Sequence, residues 1–244
     1  MTQNLDLHPR TALVTGATSG IGRATALALA GDGWFVLVHG RDAARGDATV
    51  KEIQEAGGHA RFLAADLGDA GQVTTLIDQA GPVDALINNG GYSWFGPTAD
   101  LGPDGVDALF TANVRAAYQL VAGLAPAMAT RGSGVIVNLA SMAGTVGLAG
   151  GAAYGATKAA LASLTRSWAA EFSPAGVRVN AVAPGPVYTG GADRDRITAL
   201  GHTTITGRAA EPHEIADVIA FLASDKATYI TGAVIPVDAG RTAL

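Results

Sequence analysis

The stretch Thr15-Gly16-Ala17-Thr18-Ser19-Gly20-Ile21-Gly22 decides how this chain is read. It follows a short apolar run, Thr11 to Thr15, and leads directly into the apolar segment Arg23 to Ala30, so strand, glycine-rich turn and helix succeed one another without a linker. That order places backbone N–H groups and a helix amino terminus where a pyrophosphate can sit. Glycine is required because a side chain there would block the approach of the phosphate, or of the helix to the strand. The spacing Gly-x-x-x-Gly-x-Gly departs from the Gly-x-Gly-x-x-Gly of longer dinucleotide folds, and by itself the stretch also reads as a ligand-free βα turn.

Working outward, short β-branched or apolar runs alternate with alanine-rich segments of helical spacing, the signature of repeated βα units and a parallel sheet. The runs predict strands at Thr11 to Thr15, Trp34 to Val38, Arg61 to Ala65, Val83 to Asn88, Val135 to Leu139, Val177 to Val182 and Ala233 to Val237. Several are apolar throughout, as expected of a sheet covered by helices on both faces. Helices are predicted near 20–31, 42–56, 69–80, 104–130, 152–172 and 211–223, with joints at Gly31-Asp32-Gly33, Gly57-Gly58, Gly81-Pro82 and Gly132-Ser133-Gly134. The piece from Tyr188 to Gly207 lacks clear periodicity and follows a Pro-Gly-Pro turn. It reads as a substrate lid at 188–207 or as an ordinary surface excursion. No linker divides the chain, so residues 1–244 read as one domain.

Composition narrows the function. Of 244 residues 48% are apolar and 15% charged, which fits a packed globule. The net charge of -5 and the lack of any Lys/Arg cluster argue against nucleic acid. With no cysteine and five scattered histidines, no metal site is expected. The amino terminus lacks a basic region followed by an apolar run, so no signal peptide is read and a cytoplasmic location is the default. The 26 uncharged residues between Arg131 and Lys158 are interrupted by Asn138, Ser141, Tyr154 and glycines, so no membrane span is expected.

A second turn, Asn88-Asn89-Gly90-Gly91, follows the fourth strand at the edge where open α/β sheets bind ligands. Its asparagines can close the turn or order the backbone beside a nucleotide. Asp66, ending the third strand, offers either a carboxylate to an adenine amino group or a helix cap. Tyr154 and Lys158 are four residues apart in a helical segment, hence neighbours on one face. A fixed positive charge nearby favours the phenolate and lowers the tyrosine pKa, making a proton donor and acceptor for a carbonyl or alcohol. Ser141, beyond the fifth strand, can hydrogen-bond the same oxygen. Asn113, within an apolar helical segment, is either a satisfied core amide or part of a polar relay. Tyr92, Trp94, Phe95 and Tyr188 read as walls of an apolar pocket or as packing residues.

With these residues in place the chain resembles the short-chain dehydrogenase/reductase family in its single-domain form, closest to 3-oxoacyl-(acyl carrier protein) reductases. The family pattern Thr-Gly-x-x-x-Gly-x-Gly falls on Thr15, Gly16, Gly20 and Gly22, and Asn-Asn-Ala-Gly on Asn88 to Gly91, with Gly90 replacing the alanine. The match runs to Val237-Asp238-Ala239-Gly240. It implies a doubly wound Rossmann-type fold, a seven-stranded parallel sheet with helices on both faces. It also implies hydride transfer between NADP(H), or alternatively NAD(H), and a carbonyl or secondary alcohol. The implied catalytic set is Asn113, Ser141, Tyr154 and Lys158: Tyr154 delivers the proton, Ser141 orients the oxygen, Lys158 also binds the nicotinamide ribose, and Asn113 holds a water linking Lys158 to solvent. The implied cofactor set adds Gly16, Thr18, Ser19, Gly20, Ile21, Gly22, Arg41, Asp66, Leu67, Asn89 and Gly90, then Pro184, Gly185, Val187 and Thr189 toward the nicotinamide. A homo-oligomer, a tetramer, is implied as well; the small residues of Ala152 to Phe172 would suit it, and burial within one subunit explains them equally.

Two other readings compete. One is a nucleotide-binding protein without turnover, against which the four catalytic residue types stand. The other is a cofactor-free halohydrin lyase, against which Lys158 and the intact turn stand. Cofactor choice turns on Val36-Leu37-Val38-His39-Gly40-Arg41-Asp42. A carboxylate at the strand end would hold a ribose 2′-hydroxyl and repel a 2′-phosphate. Gly40 takes that place here, and Arg41, with His39 close by, suits the phosphate. Asp42, 20 residues beyond Gly22, is the rival that would favour NAD.

Overall fold

Successive residues of the central strands enter opposite helical layers, which is why those strand sequences are apolar without alternation. Ala12 and Val14 of β1 (Thr11–Val14) join one buried cluster while Leu13 joins the other. The computed structural model describes residues 9–191 and 193–243. Residues 1–8, which carry most of the reading against a signal segment, lie outside the described residues.

The remaining strands are β2 (Phe35–Gly40), β3 (His59–Ala64), β4 (Ala85–Asn88), β5 (Gly134–Leu139), β6 (Val177–Pro184) and β7 (Val234–Val237). All pair in parallel in the order β3-β2-β1-β4-β5-β6-β7, so the chain winds outward from β1 in both directions. The reversal between β1 and β4 leaves a crevice at their carboxyl ends, the place where such sheets take ligands. Helices α1 (Gly20–Gly31), α2 (Ala43–Glu55), α3 (Ala70–Ala80), α4 (Pro103–Phe110), α5 (Ala116–Arg131), α6 (Ala152–Phe172), α7 (Arg194–Gly201) and α8 (Pro212–Ala223) connect the strands. Leu29 of α1 and Ile215 and Ile219 of α8 bury against Val14, Val36 and Ile87. On the other face Leu76 of α3, Leu120 and Leu124 of α5 and Leu161 and Trp168 of α6 bury against Leu13, Leu37, Leu86 and Ile136.

The strand assignments hold to within a residue or two at most ends, and two helical expectations need correction. The helix expected over 104–130 is interrupted by a wide turn of π type at Thr111–Arg115, which carries Asn113. Such turns reorient the side chains they carry and recur at functional sites. The 188–207 segment is not irregular throughout, because it contains α7, capped by Asp193 Oδ1 accepting from Arg196 N–H at 2.9 Å. Ala192, also in that segment, lies outside the described residues. No helix among the described residues is long and apolar enough to cross a membrane.

Candidate active site

The phosphate turn, the Asn88-to-Gly91 turn, Ser141 and the segment after Pro184 all leave the sheet at the carboxyl ends of β1, β4, β5 and β6. Gly16 and Gly20 adopt φ of 63° and 52°, a region that favours glycine. A Cβ at Gly22 would run into the Gly16 carbonyl oxygen and the Asn89 amide. Ser19 is extended and its hydroxyl does not cap α1, leaving the first-turn N–H groups without a side-chain acceptor. Thr189 stands against this turn, since a Cβ at Gly20 would lie 3.0 Å from its Cβ. Ile21, Leu67 and Val187 are buried.

Asn89 stitches the two turns together, its Nδ2 donating to Thr15 O at 2.8 Å and Gly16 O at 3.2 Å. Thr15 Oγ1 accepts from the N–H groups of Asn89 and Gly90 at 3.0 and 2.8 Å. Gly90 replaces alanine for a local reason: a Cβ there would lie 2.6 Å from Leu67 Cδ1. Gly185 is needed because the Asp238 backbone crosses 2.8 Å from where its Cβ would be. Asp66 Oδ1 accepts from Gly68 N–H at 2.9 Å and closes a turn; the helix cap expected as its alternative role falls instead to Asp69, which accepts from Gly71 and Gln72 N–H at the start of α3.

The adenine-ribose end departs from the sequence reading at His39. Its side chain does not face a phosphate; it is buried, with Nδ1 accepting from Gly16 N–H at 3.2 Å and Nε2–H donating to Ala65 O at 3.1 Å. Burial pushes its pKa down to about 4, so it is neutral at pH 7. Arg41 is exposed beyond β2 and joins no ion pair among the described residues. Asp42 is the N-cap of α2, accepting from Arg45 N–H at 3.2 Å. Arg45, absent from the sequence reading, brings its guanidinium to Thr18 O at 3.3 Å and supplies a second cation beside the phosphate turn.

At the other end, the Ser141 side chain stands beside Tyr154, close enough to lower the phenol's pKa in part. Ser141 Oγ also accepts from Ala143 N–H at 3.2 Å, which fixes its rotamer. One turn further along α6, Lys158 is buried and donates to Leu139 O at 2.7 Å. Burial holds its pKa down to about 8. Lys158 Nζ lies 5.7 Å from the Tyr154 ring centroid, yet the net shift of the tyrosine pKa is upward: burial raises it, and the neighbouring Ser141 side chain offsets only part of that.

Asn113 resolves as a satisfied amide bracing the site. Its Oδ1 accepts from Tyr92 N–H at 3.0 Å, and its Nδ2 donates to Tyr92 O at 2.9 Å and Thr157 Oγ1 at 3.1 Å. Thr157 Oγ1 in turn donates to Tyr154 O at 2.7 Å. Asn113 therefore ties the Tyr92 loop to the turn of α6 that carries Tyr154, and its side chain makes no bond to Lys158 among the described residues. Thr157 went unnoticed in the sequence, although it lies between the paired Tyr154 and Lys158. Of the aromatic residues, Phe95 packs on Tyr154 with ring centroids 5.5 Å apart. Trp94 instead covers Gly96 within its own loop.

Residues 16–242 match a family model described as enoyl-(acyl carrier protein) reductase. The chain is 40% identical to cis-4-hydroxycyclohexanecarboxylate dehydrogenase of Sinomonas cyclohexanicum over 96% of its length and 97% of that protein's. It is 34% identical to a 3-oxoacyl-(acyl carrier protein) reductase of Thermotoga maritima, over 96% of this chain and 98% of the relative. A solved structure from Beutenbergia cavernae, named as a candidate NAD(P)-dependent gluconate 5-dehydrogenase with NADP bound at low occupancy, superposes with a TM-score of 0.92. It is 38% identical, with 98% of each chain covered.

Proposed function

The chain belongs to the short-chain dehydrogenase/reductase family of oxidoreductases, and from that premise we propose that it interconverts a carbonyl and a secondary alcohol with NADP(H), using Tyr154 as acid and base. The observation that carries this reading is the Ser141–Tyr154 hydroxyl pair, held on the sheet edge that also bears the phosphate turn.

A dinucleotide fits the residues present. Gly16 and Gly22 keep a cradle that a Cβ would fill, the first turn of α1 offers its N–H groups, and Arg41 and Arg45 supply cations at the strand end. When bound, the nicotinamide supplies or accepts the hydride. In reduction the Tyr154 hydroxyl gives its proton to the carbonyl oxygen while Ser141 holds that oxygen in line. In oxidation the same hydroxyl, ionised, takes the proton of the alcohol. A tyrosine whose pKa is pushed up by burial keeps its proton at neutral pH, the form that donates in the reductive direction. Lys158 would hold the nicotinamide ribose when the cofactor is bound, and Asn113, through Thr157, holds the turn that carries Tyr154.

The same reading treats the chain as one catalytic domain with residues 188–207 as its lid. It also takes the protein as cytoplasmic and as a homotetramer, the supporting feature for the assembly being the exposed Tyr118 on the α5–α6 face, whose ring is tilted against Trp168 with centroids 6.0 Å apart. Sedimentation at micromolar concentration showing monomer alone would overturn the assembly. For the chemistry, NADPH oxidation is followed over β-ketoacyl thioesters, cyclic ketones and ketoses with the wild type and Tyr154→Phe. Turnover by the wild type, lost by at least ~10²-fold in the variant with cofactor affinity kept, is expected. Cofactor binding without oxidation of NADPH across the panel favours a binding protein instead.

A further inference from the structure

The aromatic wall behind Tyr154 carries a cation. Phe95 packs on the Tyr154 ring at a tilt of 57°, and the Arg196 guanidinium lies over Phe95, 4.8 Å from its centroid. Arg196 is exposed and takes part in no ion pair among the described residues. Of the two neighbouring carboxylates, Asp193 caps α7 through the Arg196 backbone N–H, and Asp195 joins no ion pair among the described residues. The helix that carries Arg196 is itself anchored. Tyr188 OH and Thr198 Oγ1 hydrogen-bond at 2.9 Å, and the Arg194 guanidinium covers the Tyr188 ring at 4.4 Å.

A guanidinium resting on an aromatic face keeps its charge, loses part of its hydration and has few rotamers left, while its N–H edge stays open to a planar acceptor. Resting on the proposed function, we propose that Arg196 recognises a carboxylate on the substrate, so that the enzyme prefers a ketone or secondary alcohol bearing an acid group about one ring's breadth from the reacting carbon. Phe95 separates the two groups and sets that breadth. A carboxylate accepts two N–H bonds from the guanidinium fork, whereas an ester or an unsubstituted ring accepts at most a weak one.

The test compares kcat/KM for NADPH-dependent reduction of 4-oxocyclohexanecarboxylate, its methyl ester and cyclohexanone by the wild type and Arg196→Gln. The wild type is expected to favour the acid over the ester by ~10-fold or more, as for a charge-assisted hydrogen bond. Arg196→Gln is expected to lose that preference through KM while the two neutral ketones change less than about two-fold, as for substitution of a group that uncharged substrates do not use. An equal loss on all three substrates would make Arg196 a strap for α7 and overturn the proposal, as would a wild type indifferent to the acid. Should none of these three ketones turn over, the proposed function still rests on its wider panel, and calorimetric binding of cyclohexanecarboxylate decides this inference by itself. Tenfold weaker binding to Arg196→Gln supports it, and equal or undetectable binding in both proteins overturns it.

Discussion

His39 accepts the backbone N–H of Gly16 through Nδ1 at 3.2 Å and donates through Nε2 to Ala65 O at 3.1 Å, so one imidazole fastens the phosphate turn to the end of β3. Only the neutral ring with its proton on Nε2 can do both. Burial lowers its pKa from 6.5 to about 4 in the folded protein. Between those values the unfolded chain holds more protons, so the stability that His39 contributes is complete above pH 6.5 and is lost as the pH falls toward 4. The loss amounts to about 3 kcal/mol if the whole shift is realised. Urea unfolding of the wild type and His39→Gln across pH 4.5 to 7 checks this. The wild type is expected to weaken more steeply on acidification, and parallel curves would show that His39 does not titrate in this way.

Lys158 poses the opposite problem, a cation that the fold holds at a cost. Its folded pKa is pushed down to about 8 from 10.5, so here too the unfolded chain binds more protons in the window between. Stability at neutral pH carries the full penalty of burying the charge, and recovers as pH rises from about 8 toward 10.5, by up to about 3 kcal/mol. Lys158→Met keeps the length of the side chain without the charge. It should be more stable than the wild type at pH 7.5, with the gap closing by pH 10, while turnover disappears. A wild type already as stable at pH 7.5 would mean that the Leu139 carbonyl compensates for the buried charge.

Gly90 and Leu67 form a matched pair, with a would-be Cβ at 90 lying 2.6 Å from Leu67 Cδ1. Overpacking of this size costs about 1 kcal/mol or more, although the end of a leucine can swing away. Gly90→Ala should lower the melting temperature, and Leu67→Val added to it should restore most of the loss. Failure of the second change to rescue the first would place the strain in the backbone of the turn.

Most strands were legible because they are short apolar runs between glycine or proline joints, and α1 because a glycine turn opens onto an apolar face. What stayed hidden depends on partners distant in sequence. Arg194–Gly201 is too polar to declare a helix by periodicity; a cap at Asp193 and the Tyr188–Thr198 contact hold it. The π-type turn at Thr111–Arg115 shifts the phase of an otherwise continuous pattern, and no residue type marks it. A histidine in an apolar strand reads alike as a ligand or as a buried strut, and only the contacts of both ring nitrogens separate the two. Arg45 looks like any surface arginine until the packing of α2 brings it to Thr18.

Cofactor choice rests on that same corner. Arg41 is exposed at the end of β2, Arg45 reaches Thr18 O at 3.3 Å, and Asp42, the rival for a ribose hydroxyl, is engaged at the start of α2. Two cations and no free strand-end carboxylate favour a 2′-phosphate. Arg41→Ala should raise the KM for NADPH by ~10-fold or more, as for one charged hydrogen bond, and leave that for NADH nearly unchanged. Arg45→Ala should do the same more weakly, because part of its bonding goes to Thr18. Placing the discriminating acid at Gly40 meets an obstacle, since a Cβ there would run into Thr18 Cγ2. Gly40→Asp alone should therefore destabilise the turn, whereas Gly40→Asp with Thr18→Ala should shift preference toward NADH. Asp42→Ala should cost about 1 kcal/mol of stability, the usual loss for an N-cap, without changing the preference. A wild type that prefers NADH, and loses that preference in Asp42→Ala, would make Asp42 the ribose ligand and the two arginines bystanders.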